Sequence, residues 1–70
     1  MIHSIVRVFI MQEDAERLLE LIQNCERKDL FYIYRKAKKE LGWGTEKIRF
    51  WIKYLDDIGE IKVENQKVEF

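Results

Sequence analysis

The chain has 70 residues, 47% of them hydrophobic and 13% aromatic, with three glycines, no proline and a formal net charge of zero. That length makes one small domain, which buries only about 60% of the surface its unfolded chain exposes and so needs a core dense in large apolar side chains. The composition excludes a disordered tail, and the single cysteine excludes an internal disulfide framework, which points to a reducing, cytoplasmic setting.

The opening stretch, MIHSIVRVFIM over residues 1–11, is apolar but lacks the basic n-region and small-residue cleavage site of a signal peptide. No window reaches the roughly 18–20 apolar residues of a membrane span, so no membrane partner is expected. The β-branched and aromatic residues of Ile5 to Ile10 favour an extended strand, placed to pair with a C-terminal hairpin. Ile2, Ile5, Val6, Phe9 and Ile10 also fit a helical stripe, and a homodimer contact through this segment is a third reading.

Asp14 is suited to cap a first helix from about Ala15 to Asn24, with Ala15, Leu18, Leu19, Ile22 and Cys25 on its buried stripe. Asp29 is expected to cap a second helix over Leu30–Leu41, whose apolar face is Leu30, Ile33, Tyr34, Ala37 and Leu41. Tyr32, Arg35, Lys36 and Lys39 then face away, and Gly42 stands where a left-handed residue ends a helix. Trp43 is read as a plug over the edge of the core. Thr45 is expected to cap a third helix, about Glu46 to Asp57, with Ile48, Trp51, Ile52, Leu55 and Ile58 buried. Its outer side carries Glu46, Arg49, Phe50, Lys53 and Asp57, flanked by Lys47 and Tyr54, and Gly59 ends it. Ile61, Val63, Val68 and Phe70 alternate with charged residues around Asn65–Gln66, which predicts a short β-hairpin with one inward face.

The zero net charge conceals an asymmetry. Residues 35–53 hold seven basic and two acidic side chains, whereas the remainder holds six basic and eleven acidic. One basic segment of this kind attracts a polyanion to one face, although solvated helix faces carry such charges as a matter of course.

The order helix, helix, glycine-bearing turn, helix, hairpin, carried by LFYIYRKAKKELGWGTEKIRFWIKYLDDIGEIKVENQKVEF, resembles a winged helix-turn-helix domain. The most specific part is a helix ending in Leu55, Gly59 and Ile61 before a charged hairpin. The resemblance covers residues 14–70 as a single domain of three helices (14–58) and a wing (60–70). A looser likeness, from LLELIQ through IRFWIKYLDDIGEI, is to the C-terminal winged-helix domain of archaeal minichromosome-maintenance helicases. Two features depart from the pattern. Asn24 to Lys28, short and polar, leaves no place for the family's strand between the first two helices, and residues 1–11 are extra.

The resemblance implies a non-enzymatic DNA-binding module, a nucleoid-associated transcription regulator, whose third helix enters the major groove of double-stranded DNA. Thr45, Lys47, Arg49, Phe50 and Lys53 would be presented there, with Arg49 suited to a guanine edge and Lys47 and Lys53 to phosphates. Arg35, Lys36 and Lys39 would take flanking backbone, and Lys62 and Lys67 of the wing an adjacent phosphate. This reading requires the cation face of the third helix to be uncovered and free of lining carboxylates.

The outward aromatics Phe50 and Tyr54 fit a base contact, or equally a protein interface, where aromatic residues and Arg are enriched. A winged-helix protein-interaction module of a replication or transcription assembly is therefore the alternative function; isolated exposure with no function is the third. Catalysis has no support, since there is no phosphate loop and no nucleophile beside a base. One cysteine and one histidine do not make a zinc site, so neither metal nor cofactor is expected.

Overall fold

The structure, a computed structural model, describes residues 13–70. The readings for residues 1–11, as strand, helix or dimer contact, lie outside the described residues. Three helices precede a hairpin in the order α1 (Glu13–Asn24), α2 (Leu30–Leu41), α3 (Thr45–Asp57), β1 (Lys62–Glu64) and β2 (Lys67–Glu69). This is the mainly helical architecture with a C-terminal antiparallel hairpin that the sequence predicts, in a winged-helix layout.

Helix α1 buries Ala15, Leu18, Leu19 and Ile22, with Leu21 added to the expected stripe and Cys25 buried just beyond its end. Asp14 does not cap it. The helix runs from Glu13, so Asp14 lies inside the first turn, and its carboxylate meets Lys47 Nζ of α3 at 3.1 Å. Acidic residues are favoured at both places, because the cap and the first turn share the positive end of the helix dipole.

Helix α2 begins as expected: Asp29 is extended, and its Oδ2 accepts the Tyr32 N–H at 3.0 Å. It ends at Gly42, whose φ of 72° suits a residue with no Cβ. The segment before α2 is not the unpaired linker its polarity suggested. The Val68 N–H donates to the Lys28 carbonyl and the Leu30 N–H to the Gln66 carbonyl, both at 2.8 Å, around an antiparallel bridge between Asp29 and Lys67. A strand reduced to one residue occupies the place where the winged-helix pattern has a strand, and one-residue pairing leaves no alternation for sequence to show.

Helix α3 starts at Thr45 with Gly44 in the cap position and no side-chain hydrogen bond to the cap, so Thr45 is the first helical residue and not the cap. Ile48, Ile52 and Leu55 are buried, whereas Trp51 is half-buried against the core and Ile58 is 45% exposed. The helix end explains Ile58. Gly59, at φ 83°, donates to the Asp56 carbonyl at 3.1 Å, and Glu60 donates to the Leu55 carbonyl at 2.9 Å, the two bonds of a Schellman motif. The reversal takes Ile58 off the buried stripe and sends Ile61 into the core, 3% exposed.

In the hairpin, Lys62 faces Glu69, Val63 faces Val68 and Glu64 faces Lys67. Asn65 and Gln66 have φ of 54° and 66°, the positive pair that a two-residue turn needs to match the strand twist. Val68 is buried and Val63 half-buried, and opposite charges face each other on the outer side. Phe70 departs from the expected inward alternation: it follows the last ladder pair and is 61% exposed.

Leu18, Ile22, Ile33, Ile48 and Leu55 are the largest fully buried side chains and join all three helices. Replacing Leu55 by Ala should cost about 2–5 kcal/mol in urea unfolding. Ile58→Ala, at an exposed position on the same helix, should stay within about 0.5 kcal/mol of the parent.

Candidate nucleic-acid interface

The outer face of α2 concentrates cations that other side chains leave available. Lys36 is held by Glu40 at 3.1 Å, and that hydrogen bond and charge raise its pKa. Arg35, Lys38 and Lys39 have no ion pair among the described residues. Lys38 and Lys39 stand in the last turn, where the helix dipole favours positive charge. The Arg35 guanidinium lies 5.7 Å from the centre of the Phe31 ring, one turn back. Tyr32 has Arg27 at 5.6 Å and Lys36 at 6.0 Å from its ring centre.

Two open grooves meet along this ridge. One, of about 430 Å³, is lined by Phe31, Tyr34, Arg35 and Lys38 of α2, by Thr45 of α3 and by Gln66 of the hairpin turn. The other, of about 570 Å³, lies over Tyr32, Lys36 and Lys39 and shares Arg35 and Lys38. The first groove brings together α2, the start of α3 and the wing turn. It exists because the Leu30–Gln66 hydrogen bond ties the hairpin turn to the first residue of α2.

From Thr45, Arg49 and Lys53 follow at four-residue intervals and so continue along one side of α3. The cation face of this helix is not free of lining carboxylates, so the condition for reading it as the recognition face by itself is not met. Arg49 Nη1 is 3.2 Å from both Glu46 carboxylate oxygens, and Lys53 Nζ is 3.7 Å from Asp57. These are pairs at spacings of three and four along one helix, so each cation on the outer face has an acid beside it.

Lys47 points elsewhere. It pairs with Asp14 of α1 and sits 4.7 Å from the centre of the Trp43 ring, which itself packs on the edge of the core as expected. Phe50 is 61% exposed, as the sequence predicts. Tyr54 is not outward: it is half-buried against the core, with its ring centre 5.2 Å from Trp51, which in turn meets Phe50 edge-on at 4.8 Å. On the wing, Lys62 pairs with Glu64 at 3.5 Å, while Lys67 has no ion pair among the described residues.

The candidate residues thus divide in space. Arg35 and Thr45 share the first groove, Lys36 and Lys39 line the second, and Arg49, Phe50 and Lys53 lie farther along α3. Phe31, Lys38 and Gln66 belong to the first groove and were not singled out by sequence reasoning. A signal for the first was present: Phe31 and Arg35 are four apart and off the apolar stripe, hence neighbours on the outer face.

Elsewhere, burial pushes the Cys25 thiol pKa up, opposite to what a reactive thiol needs. Among the described residues no three His, Cys, Asp or Glu side chains come together to hold a metal, and no helix is long and apolar enough to cross a membrane. No family model, curated protein or solved structure matches the chain.

Asp29 positions the start of α2 and therefore the groove. The Tyr32 N–H is the main cause that holds its carboxyl below the usual aspartate range, with the Arg27 guanidinium 3.1 Å away adding to it. A lowered folded-state pKa contributes stability above the unfolded value, about 3.9, and loses it as pH falls through the folded value. Asp29→Asn keeps a capping oxygen but does not titrate. The urea midpoint of the parent should therefore equal or exceed that of the variant at neutral pH, and the gap should shrink as the solution is acidified below the carboxylate range.

Proposed function

We propose that this chain is a small non-enzymatic DNA-binding module that meets double-stranded DNA through the α2 ridge, the start of α3 and the hairpin turn. The observation that carries this reading is the set Arg35, Lys38 and Lys39. These cations have no carboxylate partner among the described residues; Arg35 and Lys38 line the groove that reaches Thr45 and Gln66, and Lys39 lines the adjoining one. A cation already neutralised by its neighbour gains little from a phosphate, whereas an unneutralised one gains the whole attraction and releases a condensed counterion from DNA.

Phosphate contacts from α2 and from Lys67 position the module, and Thr45, the first residue of α3 and part of the same groove, is the one presented to a base edge. The pairs Arg49–Glu46 and Lys53–Asp57 are exposed and intrahelical. Such pairs are worth about 0.2–1 kcal/mol and keep a carboxylate beside the cation, so these side chains add less to a phosphate contact than the unpaired cations of α2. Lys62 stands in the same position with Glu64, and Lys36 with Glu40. Lys47 serves the α1–α3 contact instead. A role in transcription regulation is what the winged-helix resemblance adds to the charge argument.

A second reading rests on one observation: the Phe50–Trp51–Tyr54 edge-to-face series, whose exposed end is flanked by locally neutral charge pairs. An exposed aromatic among balanced charges suits a protein partner better than a polyanion.

Binding of a random-sequence duplex, followed by fluorescence anisotropy at several salt concentrations, separates the readings. The parent should bind at low salt with a log–log slope of about −3, as expected for three or four phosphates. Arg35→Ala with Lys38→Ala should reduce that slope by about 2 and weaken binding to any sequence. Phe50→Ala should change it little. Absence of salt-dependent binding by the parent would overturn the DNA reading and leave the aromatic face as the better candidate.

A further inference from the structure

Phe31 is the most exposed of the large apolar side chains among the described residues, at 71%. A single exposed phenylalanine needs no explanation by itself. This one stands in a built setting. Arg35 lies over its ring, Lys38 lines the same groove, and Thr45 and Gln66 approach from two other elements.

Gln66 sits at φ 66°, a conformation that residues with a side chain adopt at a cost, yet the turn holds it there with its carbonyl bonded to the Leu30 N–H. Its amide carries both a donor and an acceptor, and the Thr45 hydroxyl carries the same pair. The groove therefore combines an aromatic face, a guanidinium, an unneutralised ammonium and two groups able to bond the edge of a heterocycle.

That combination matches one chemistry: a nucleobase with its face available, joined to a phosphate. Bases inside a duplex offer only their edges, because both faces are stacked. Bases at a single-stranded extension offer a face, and such bases stack on aromatic side chains and on Arg planes. We propose that the groove between α2, the start of α3 and the hairpin turn seats one unpaired nucleobase beside a duplex, stacked on Phe31, with Arg35 and Lys38 on its phosphates.

This rests on the DNA reading above and deepens it: the preferred partner is a duplex carrying an unpaired extension, not a continuous duplex. The alternative occupant, an aromatic or aliphatic side chain of a protein, lacks the phosphate that Arg35 and Lys38 would meet, and the test separates it.

The test uses the full chain and two labelled probes in fluorescence anisotropy: a blunt random-sequence duplex, and the same duplex with a short oligo-adenosine extension at its 3′ or 5′ end. One stacked base should favour the extended probe by about tenfold at equal salt. Phe31→Ala and Phe31→Leu should both abolish that preference while leaving blunt-duplex affinity unchanged. The leucine variant retains apolar bulk without a π-face, and circular dichroism checks that both variants are folded.

Equal affinity of the parent for the two probes would overturn the stacking site while leaving the DNA reading intact. A preference that survives in Phe31→Leu would overturn stacking in favour of plain apolar contact. Failure to bind either probe would remove both proposals.

Discussion

Two backbone hydrogen bonds, Leu30 N–H to the Gln66 carbonyl and Val68 N–H to the Lys28 carbonyl, each 2.8 Å long, hold the hairpin against the chain that leads into α2. A two-stranded hairpin on its own is marginal in water. One engages the hairpin turn and the other β2, and together they leave Asp29 in the extended conformation that an N-cap requires. The same contact therefore anchors the wing, sets the start of α2 and brings Gln66 beside Phe31. Without it, the groove between helix and hairpin turn would have no fixed shape.

The distribution of charge follows from the same frame. A neutral chain with one basic segment has several ways to spend its cations. Here α3 pairs two of them with acids of its own, and a third joins α3 to α1 through Asp14. Helix α2 pairs only Lys36 and leaves Arg35, Lys38 and Lys39 outward. Helix α2 carries four cations and α3 three, and pairing with near neighbours widens that difference. What matters is the charge left after near neighbours are counted, and on α2 three cations remain without an ion pair among the described residues.

Much of the fold was legible because its punctuation is chemical. Asp29 caps, Gly42 and Gly59 take left-handed conformations, and Asn65–Gln66 turn, each at the place the sequence indicates. The three apolar stripes predict Leu18, Ile22, Ile33, Ile48 and Leu55 in the core, where they are. Positions at element ends were less legible. Thr45 is one residue off as a cap, Asp14 lies within the first turn of its helix, and Ile58 and Phe70 leave their stripes where the helix and the ladder stop. Periodicity continues on paper beyond the last hydrogen bond that enforces it.

The candidate interface divides along a similar line. The neighbours that neutralise Arg49 and Lys53 stand three and four residues away and were readable from spacing alone. The Lys47–Asp14 pair joins two helices, and the Asp29–Lys67 bridge joins a linker to a strand; neither has a local signature.

The central claim is that the α2 ridge, framed by Thr45 and Gln66, is where a polyanion meets this protein. Amide chemical-shift mapping of the ¹⁵N-labelled chain, titrated with duplex DNA at low salt, tests it most directly. The account predicts that the largest shifts fall on Arg35, Lys38, Lys39, Thr45 and Gln66. Shifts confined to α1, or centred on Trp51, Tyr54 and Asp57 with α2 silent, would contradict it.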